Sequence, residues 1–185
     1  MPGRREFAIP LGLLLMIPCL AHESKHELKI QGKPDFSGTW ALDMTNSRFE
    51  APKSRLVYDS LTLTVSHHDP KLEIVRKIAK KKKLRTQDLI YYTDRRGETN
   101  PSFNQSETVQ SKTYWEGNIL ITKGTASMPI AGDLIISDTS ERWELSADGR
   151  TLTQISSYKD FRSKFGNTGF AFKEQNTTRI FIKIH

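Results

Sequence analysis

From Phe36 onward the chain alternates apolar and polar positions in short runs divided by turn residues. Leu61, Leu63 and Val65 alternate with Thr62, Thr64 and Ser66, the period of a strand with one buried face. Leu56 and Tyr58 lie on the opposite phase, which calls for a break near Asp59-Ser60. His67-His68-Asp69-Pro70 turns the chain into Leu72, Ile74 and Ile78, and Leu89 to Thr93 forms a further strand closed by Asp94-Arg95-Arg96-Gly97. "TYWEGNILI" and "RWELSADGRTLT" read as hairpins around Gly117 and Gly149, whose residue type suits the positive φ of tight turns. "TTRIFIKI" closes the pattern with Ile180, Ile182 and Ile184 on one face; if that face is inward, Arg179 points out.

Helical periodicity is weak throughout. Asp43–Glu50 has room for one helical turn, and "EIVRKIAKKKKL" has helical propensity but follows a strand phase. Eight to ten strands at hairpin spacing predict an all-β domain, an antiparallel up-and-down barrel with little helix, with a sandwich as the alternative. A barrel leaves no open strand edge, which suits a chain without covalent bridges.

Gly38-Thr39-Trp40 sits at the first strand, where lipocalins and their relatives carry a Gly-x-Trp. "PDFSGTWALDMTNSRF", "LTLTVSHHDPKLEI", the Trp-Glu-Gly-Asn turn and "WELSADGRTLT" together resemble a group of uncharacterised secreted bacterial lipocalin-like (calycin-type) proteins. The resemblance spans most of residues 36–185 and implies a lipocalin-like barrel, with Gly38 and Trp40 as its structural plug, but no particular activity. Many lipocalins lay an arginine of the last strand across that tryptophan, and Arg179 is the candidate.

The first 21 residues read as a signal peptide: Arg4 and Arg5, an apolar run from Phe7 to Leu20, and small residues before a cut near Ala21. The run is too short to span a bilayer. A lipoprotein signal at Cys19 is the lesser alternative. Residues 22–35 read as a flexible leader and 36–185 as the barrel domain, in a secreted or periplasmic protein. Cys19 is the single cysteine of the sequence, so a chain cut at Ala21 has no disulfide, thiolate or Cys-bound zinc. The absence of bridges leans towards a bacterial exported protein. Two sequons, at Asn104 and Asn176, would matter in a eukaryotic secretory route.

The net charge of +7 favours anionic neighbours without naming one. The strongest local signal is "RKIAKKKKLR", with Arg76, Lys77, Lys80, Lys81, Lys82, Lys83 and Arg85. It reads as a solvated hairpin or as a contact for an anionic envelope surface; without interleaved aromatics it does not predict specific nucleic-acid binding. In "HHDP", His67 and His68 point to opposite faces of a strand, so the motif reads as a turn and no metal site is expected. His22 and His26 read as solvated leader residues, and His185 as a tail. Ser156 and Lys159 fit Ser-x-x-Lys but on a strand, where they diverge. Asp133, Asp138, Glu141 and Glu144 could pair, but spacing selects no catalytic couple.

Val109, Ser111, Thr113 and Trp115 share one strand face, either the lining of a ligand cavity or the outer surface. The remaining aromatics, Trp40, Trp143, Tyr114, Phe170, Phe172 and Phe181, read as core. The expectation is therefore a non-enzymatic, cofactor-free barrel that binds a small apolar or amphiphilic ligand. The alternatives are an envelope-docking protein and an enzyme with a spatially assembled site.

Overall fold

A computed structural model of the chain describes residues 32–50, 58–103, 107–130, 132–164, 166 and 173–184. The expected signal peptide, most of the expected leader, His22, His26, Leu56, the Asn104 sequon, Phe170, Phe172 and His185 lie outside the described residues.

Ten strands follow one another: β1 Gly38–Phe49, β2 Ser60–His68, β3 Lys71–Lys80, β4 Lys83–Tyr92, β5 Glu98–Pro101, β6 Thr108–Glu116, β7 Ile119–Ile130, β8 Asp133–Leu145, β9 Thr151–Ser163 and β10 Gln175–Lys183. Every pairing is antiparallel and joins chain neighbours, except that β1 also pairs with β10. The sheet order is therefore β4-β3-β2-β1-β10-β9-β8-β7-β6-β5. This is an all-β, nearly closed up-and-down barrel with no helix among the described residues.

Side chains bridge the gap between β4 and β5. Asn100 on β5 presents its carboxamide to β4, where Oδ1 accepts from the Ile90 N–H at 2.9 Å and Nδ2 donates to the Ile90 carbonyl at 2.8 Å. One amide thus does for Ile90 what a ladder partner would do. Beside it, Gln87 Nε2 donates to the Ser102 carbonyl at 2.6 Å, and the Tyr92 N–H donates to Glu98 Oε2 at 3.3 Å.

Alternation decides what fills the interior. Leu61, Leu63 and Val65 of β2 meet Leu72, Ile74 and Ile78 of β3 and Leu89 of β4, all buried. Trp40, Leu152 and Phe181 are fully buried beside them, and each such side chain contributes about 1.5–3 kcal/mol. Gly124 of β7 has a purely steric role: a Cβ there would stand 2.0 Å from the Gln110 carbonyl oxygen, so only glycine fits against β6.

Three local expectations need correcting. Asp43–Glu50 is not helical but continues β1 through a bulge, where Asp43 Oδ1 accepts from the Thr45 and Asn46 N–H groups at 2.9 and 3.0 Å. "EIVRKIAKKKKL" is the β3–β4 hairpin. On β10 the inward face belongs to Arg179 and Phe181, while Ile182 and, just past the strand, Ile184 are exposed. Phe181 fills the core and Arg179 finds polar partners there, and together they override the isoleucine stripe. Tyr58 is buried just ahead of β2, in line with the break expected at Asp59-Ser60.

Candidate functional site

The end of the barrel where β1 begins is packed solid. Trp40 donates its Nε1–H to the Phe36 carbonyl at 2.9 Å, and Phe36 stacks on Trp115 at 5.7 Å and meets Trp143 edge-on at 6.2 Å. Gly38, with φ of +133°, starts β1 in a conformation that L side chains rarely adopt. The cation over Trp40 is Lys183, at 5.2 Å, and not Arg179.

Arg179 instead joins a polar layer across the interior. It is 7% exposed and Arg76 is 5% exposed. Arg76 donates from Nε to Gln87 Oε1 at 2.8 Å and from Nη2 to the Pro101 carbonyl at 3.1 Å. Arg179 donates from Nε to the Tyr58 hydroxyl at 3.1 Å, and from Nη1 to Ser156 Oγ at 3.0 Å and Gln154 Oε1 at 3.4 Å. Both guanidiniums lie over the Phe103 ring, at 3.9 and 4.5 Å from its centre. Arg85 completes the group by donating to the Phe103 carbonyl, while its own Nε is buried without a partner.

Among the described residues every hydrogen-bond partner of Arg76 and Arg179 is neutral, and no ion pair reaches either one. Taking a guanidinium out of water costs several kcal/mol unless charge compensates it. Glu141 supplies part of that compensation at one remove: its Oε2 accepts from Gln154 Nε2 and Trp143 Nε1, each at 3.1 Å. Burial lowers the Arg76 pKa, Tyr91 and Glu141 raise it, and Arg179 lowers it again. Burial likewise lifts Tyr91 well above the usual phenol range and Tyr158 to about 12, so both hydroxyls keep their protons at neutral pH.

A cavity of about 30 Å³ lies in this layer, lined by Arg76, Tyr91, Ser111, Thr122, Glu141 and Tyr158 among others. That is room for about two ordered waters. A wider depression of about 660 Å³, at Thr99, Gln110, Lys112 and Lys123, lies open to solvent.

The residues singled out in the sequence separate here. Val109 and Ser111 line the cavity. Thr113 is fully buried, donates to Glu98 Oε1 at 2.7 Å and lies 2.9 Å from the Thr122 hydroxyl. Trp115 sits in the aromatic cluster, with its Nε1–H donated to Asp69 Oδ1 at 3.3 Å. The run Arg76–Arg85 is not one surface. Alternation turns Arg76 and Arg85 inward and leaves Lys77 and Lys80–Lys83 outside or at the hairpin tip. Gln154, Tyr158 and Phe103 were not anticipated as site residues; Glu141 had been named only among carboxylates that could pair, and Arg179 only as the arginine expected across Trp40. The available signal was a polar residue in phase with buried ones, as Arg76 is with Ile74 and Ile78.

His67 and His68 do diverge. The His67 side chain is 6% exposed and lies 5.9 Å from both Phe36 and Trp115, with its Nε2 buried and unpartnered. His68 is exposed beside Ser66. Burial lowers the His67 pKa, which the Asp35 and Asp69 charges partly offset. Hydrogen bonds from Lys33 and Thr93 hold the Asp69 carboxyl at about 2. Among the described residues no group of three His, Cys, Asp or Glu side chains is placed to hold a metal. Ser156 faces inward and Lys159 is exposed.

No family model matches the chain, and no curated protein matches it. Among solved structures it is similar to two secretory abundant heat soluble proteins from Ramazzottius varieornatus. One is 12% identical, with a TM-score of 0.47 over 80% of this chain and 94% of the other. The second, secretory abundant heat soluble protein 4, is 16% identical with a TM-score of 0.47, over 83% of this chain and 97% of the other.

Proposed function

We propose that the chain is a carrier barrel for a small amphiphile, whose anionic head sits on Arg76 and Arg179 and whose apolar part displaces the Phe103 ring and extends out of the barrel past it. The observation that carries this reading is the pair of buried guanidiniums with only neutral hydrogen-bond partners among the described residues. An anionic head adds the charge compensation they lack, and the protonated Tyr91 and Tyr158 hydroxyls offer donors beside it. Carriage of this kind calls for no cofactor and no bond-breaking step. The N-terminal pattern from Arg4 to Ala21 supports an exported carrier, and the lack of a disulfide leans towards a bacterial one.

Calorimetric titration with dodecanoate and with dodecanol tests this on the wild-type chain. The tails match, so any difference reports the head. Dodecanoate should bind at least about tenfold tighter than the alcohol, and Arg76→Met with Arg179→Met should abolish the difference in a variant that still melts cooperatively. Equal affinity for the two, or binding of neither, would overturn the reading.

A further inference from the structure

The β3–β4 hairpin combines features that a merely solvated turn does not require. Lys81 and Lys82 occupy the turn with φ of +45° and +66°, positions where a two-residue hairpin favours Asn and Gly. Lysine there carries a steric cost that Gly removes, so this turn keeps its charge at the expense of backbone comfort. Asp59 braces the tip: its Oδ2 accepts from the Lys81 N–H at 2.8 Å, and Lys80 Nζ pairs with Oδ1 at 3.1 Å. Among the described residues no salt bridge reaches the ammonium groups of Lys81, Lys82 or Lys83, although the Lys81 charge acts on Asp59.

Next to them stands Leu84, 70% exposed, the most exposed of the large apolar side chains among the described residues. It pairs with Ala79 on the outer face, so an apolar side chain stands among lysines. The tip also has a fixed relation to the polar layer. Arg85, next after Leu84, turns inward and donates to the carbonyl of Phe103, whose ring covers Arg76 and Arg179. Phe103, which follows β5, lies at this same end of the barrel.

We infer that this hairpin docks the barrel on an anionic lipid bilayer, with Lys81–Lys83 at the headgroups and Leu84 in the interfacial region. The two parts have different tasks. Lysines alone would serve any polyanion, whereas an exposed leucine gains only where there is apolar material to enter. Docking in this pose brings the Phe103 end of the barrel to the lipid surface, where an amphiphile would enter or leave. The inference deepens the carrier reading in naming the partner of that end, and it rests on that reading for its purpose.

Co-sedimentation of the full chain with vesicles tests it. Phosphatidylcholine vesicles containing about one-third phosphatidylserine should bind the protein, and pure phosphatidylcholine vesicles should not. Each lysine among Lys81–Lys83 replaced by Gln should weaken binding roughly fivefold. Leu84→Ser should weaken it by about tenfold while leaving retention on a heparin column unchanged. Lys81→Asn with Lys82→Gly keeps the protein assayable, because it should raise the melting temperature while weakening vesicle binding. Equal binding to both vesicle types, or a Leu84→Ser variant that binds like wild type, overturns the inference. So does a heparin column that loses Leu84→Ser as the vesicles do. The dodecanoate titration contains no vesicles, so loss of docking with intact titration removes this inference alone, and the converse removes the carrier reading alone.

Discussion

Phe103→Ala separates two roles that one ring plays in this fold. The ring is half-buried and covers Arg76 at 3.9 Å and Arg179 at 4.5 Å, and it lies 5.7 Å from Tyr58. Two desolvated cation–π contacts at about 1 kcal/mol each, with about 1 kcal/mol more for the partly buried ring, make the loss about 3 kcal/mol. For a domain of this length that lowers the melting temperature by about 6–12 °C. The same energy opposes a ligand that must displace the ring, so the variant should bind dodecanoate at least about tenfold tighter. Thermal melts followed by circular dichroism give the first quantity and calorimetric titration the second. The reasoning predicts opposite signs, with stability down and affinity up. Affinity falling with stability would show that the ring lines the site and does not occupy it, and an unchanged melting temperature would deny the stacking itself.

Asn100→Ala should cost about 2–3 kcal/mol, because it leaves the Ile90 N–H and carbonyl unpaired at the β4–β5 gap. Amide exchange at Ile90 should quicken before that of β8, whose neighbours are both ladder strands. His67 sets an acid limit. Its folded pKa lies below the unfolded value of 6.5, so the unfolded chain takes up the proton first, and stability falls as pH drops below about 6.5. The Asp35 and Asp69 charges moderate the effect, while those of His68 and Lys33 add to it. Denaturation midpoints measured between about pH 5 and pH 8 should show the fall, and His67→Phe should flatten it.

The alternation of Leu61, Leu63 and Val65 with threonine and serine was enough to place β2, and the same period with glycine turns located most hairpins, because a half-buried strand leaves a local signature. Trp40 was legible as buried through the resemblance that its Gly-x-Trp carries. The phase of β10 was not: two residue sets compete there, and the pattern of isoleucines outweighs Phe181 and Arg179 until the barrel shows which set has partners. Likewise, "RKIAKKKKLR" looked like one charged surface, although strand alternation alone sends Arg76 and Arg85 to the opposite side from Lys77.

Local pattern determined the strands, the turns and the all-β class, since each depends on residues within a few positions of one another. Tertiary structure decided the rest. Arg76, Glu141, Gln154 and Arg179 lie far apart in sequence and become one layer through closure of the sheet, with Asn100 and Gln87 fastening the last gap. A buried charge declares its need for a partner by what surrounds it in space, and a linear order of residues does not contain that information.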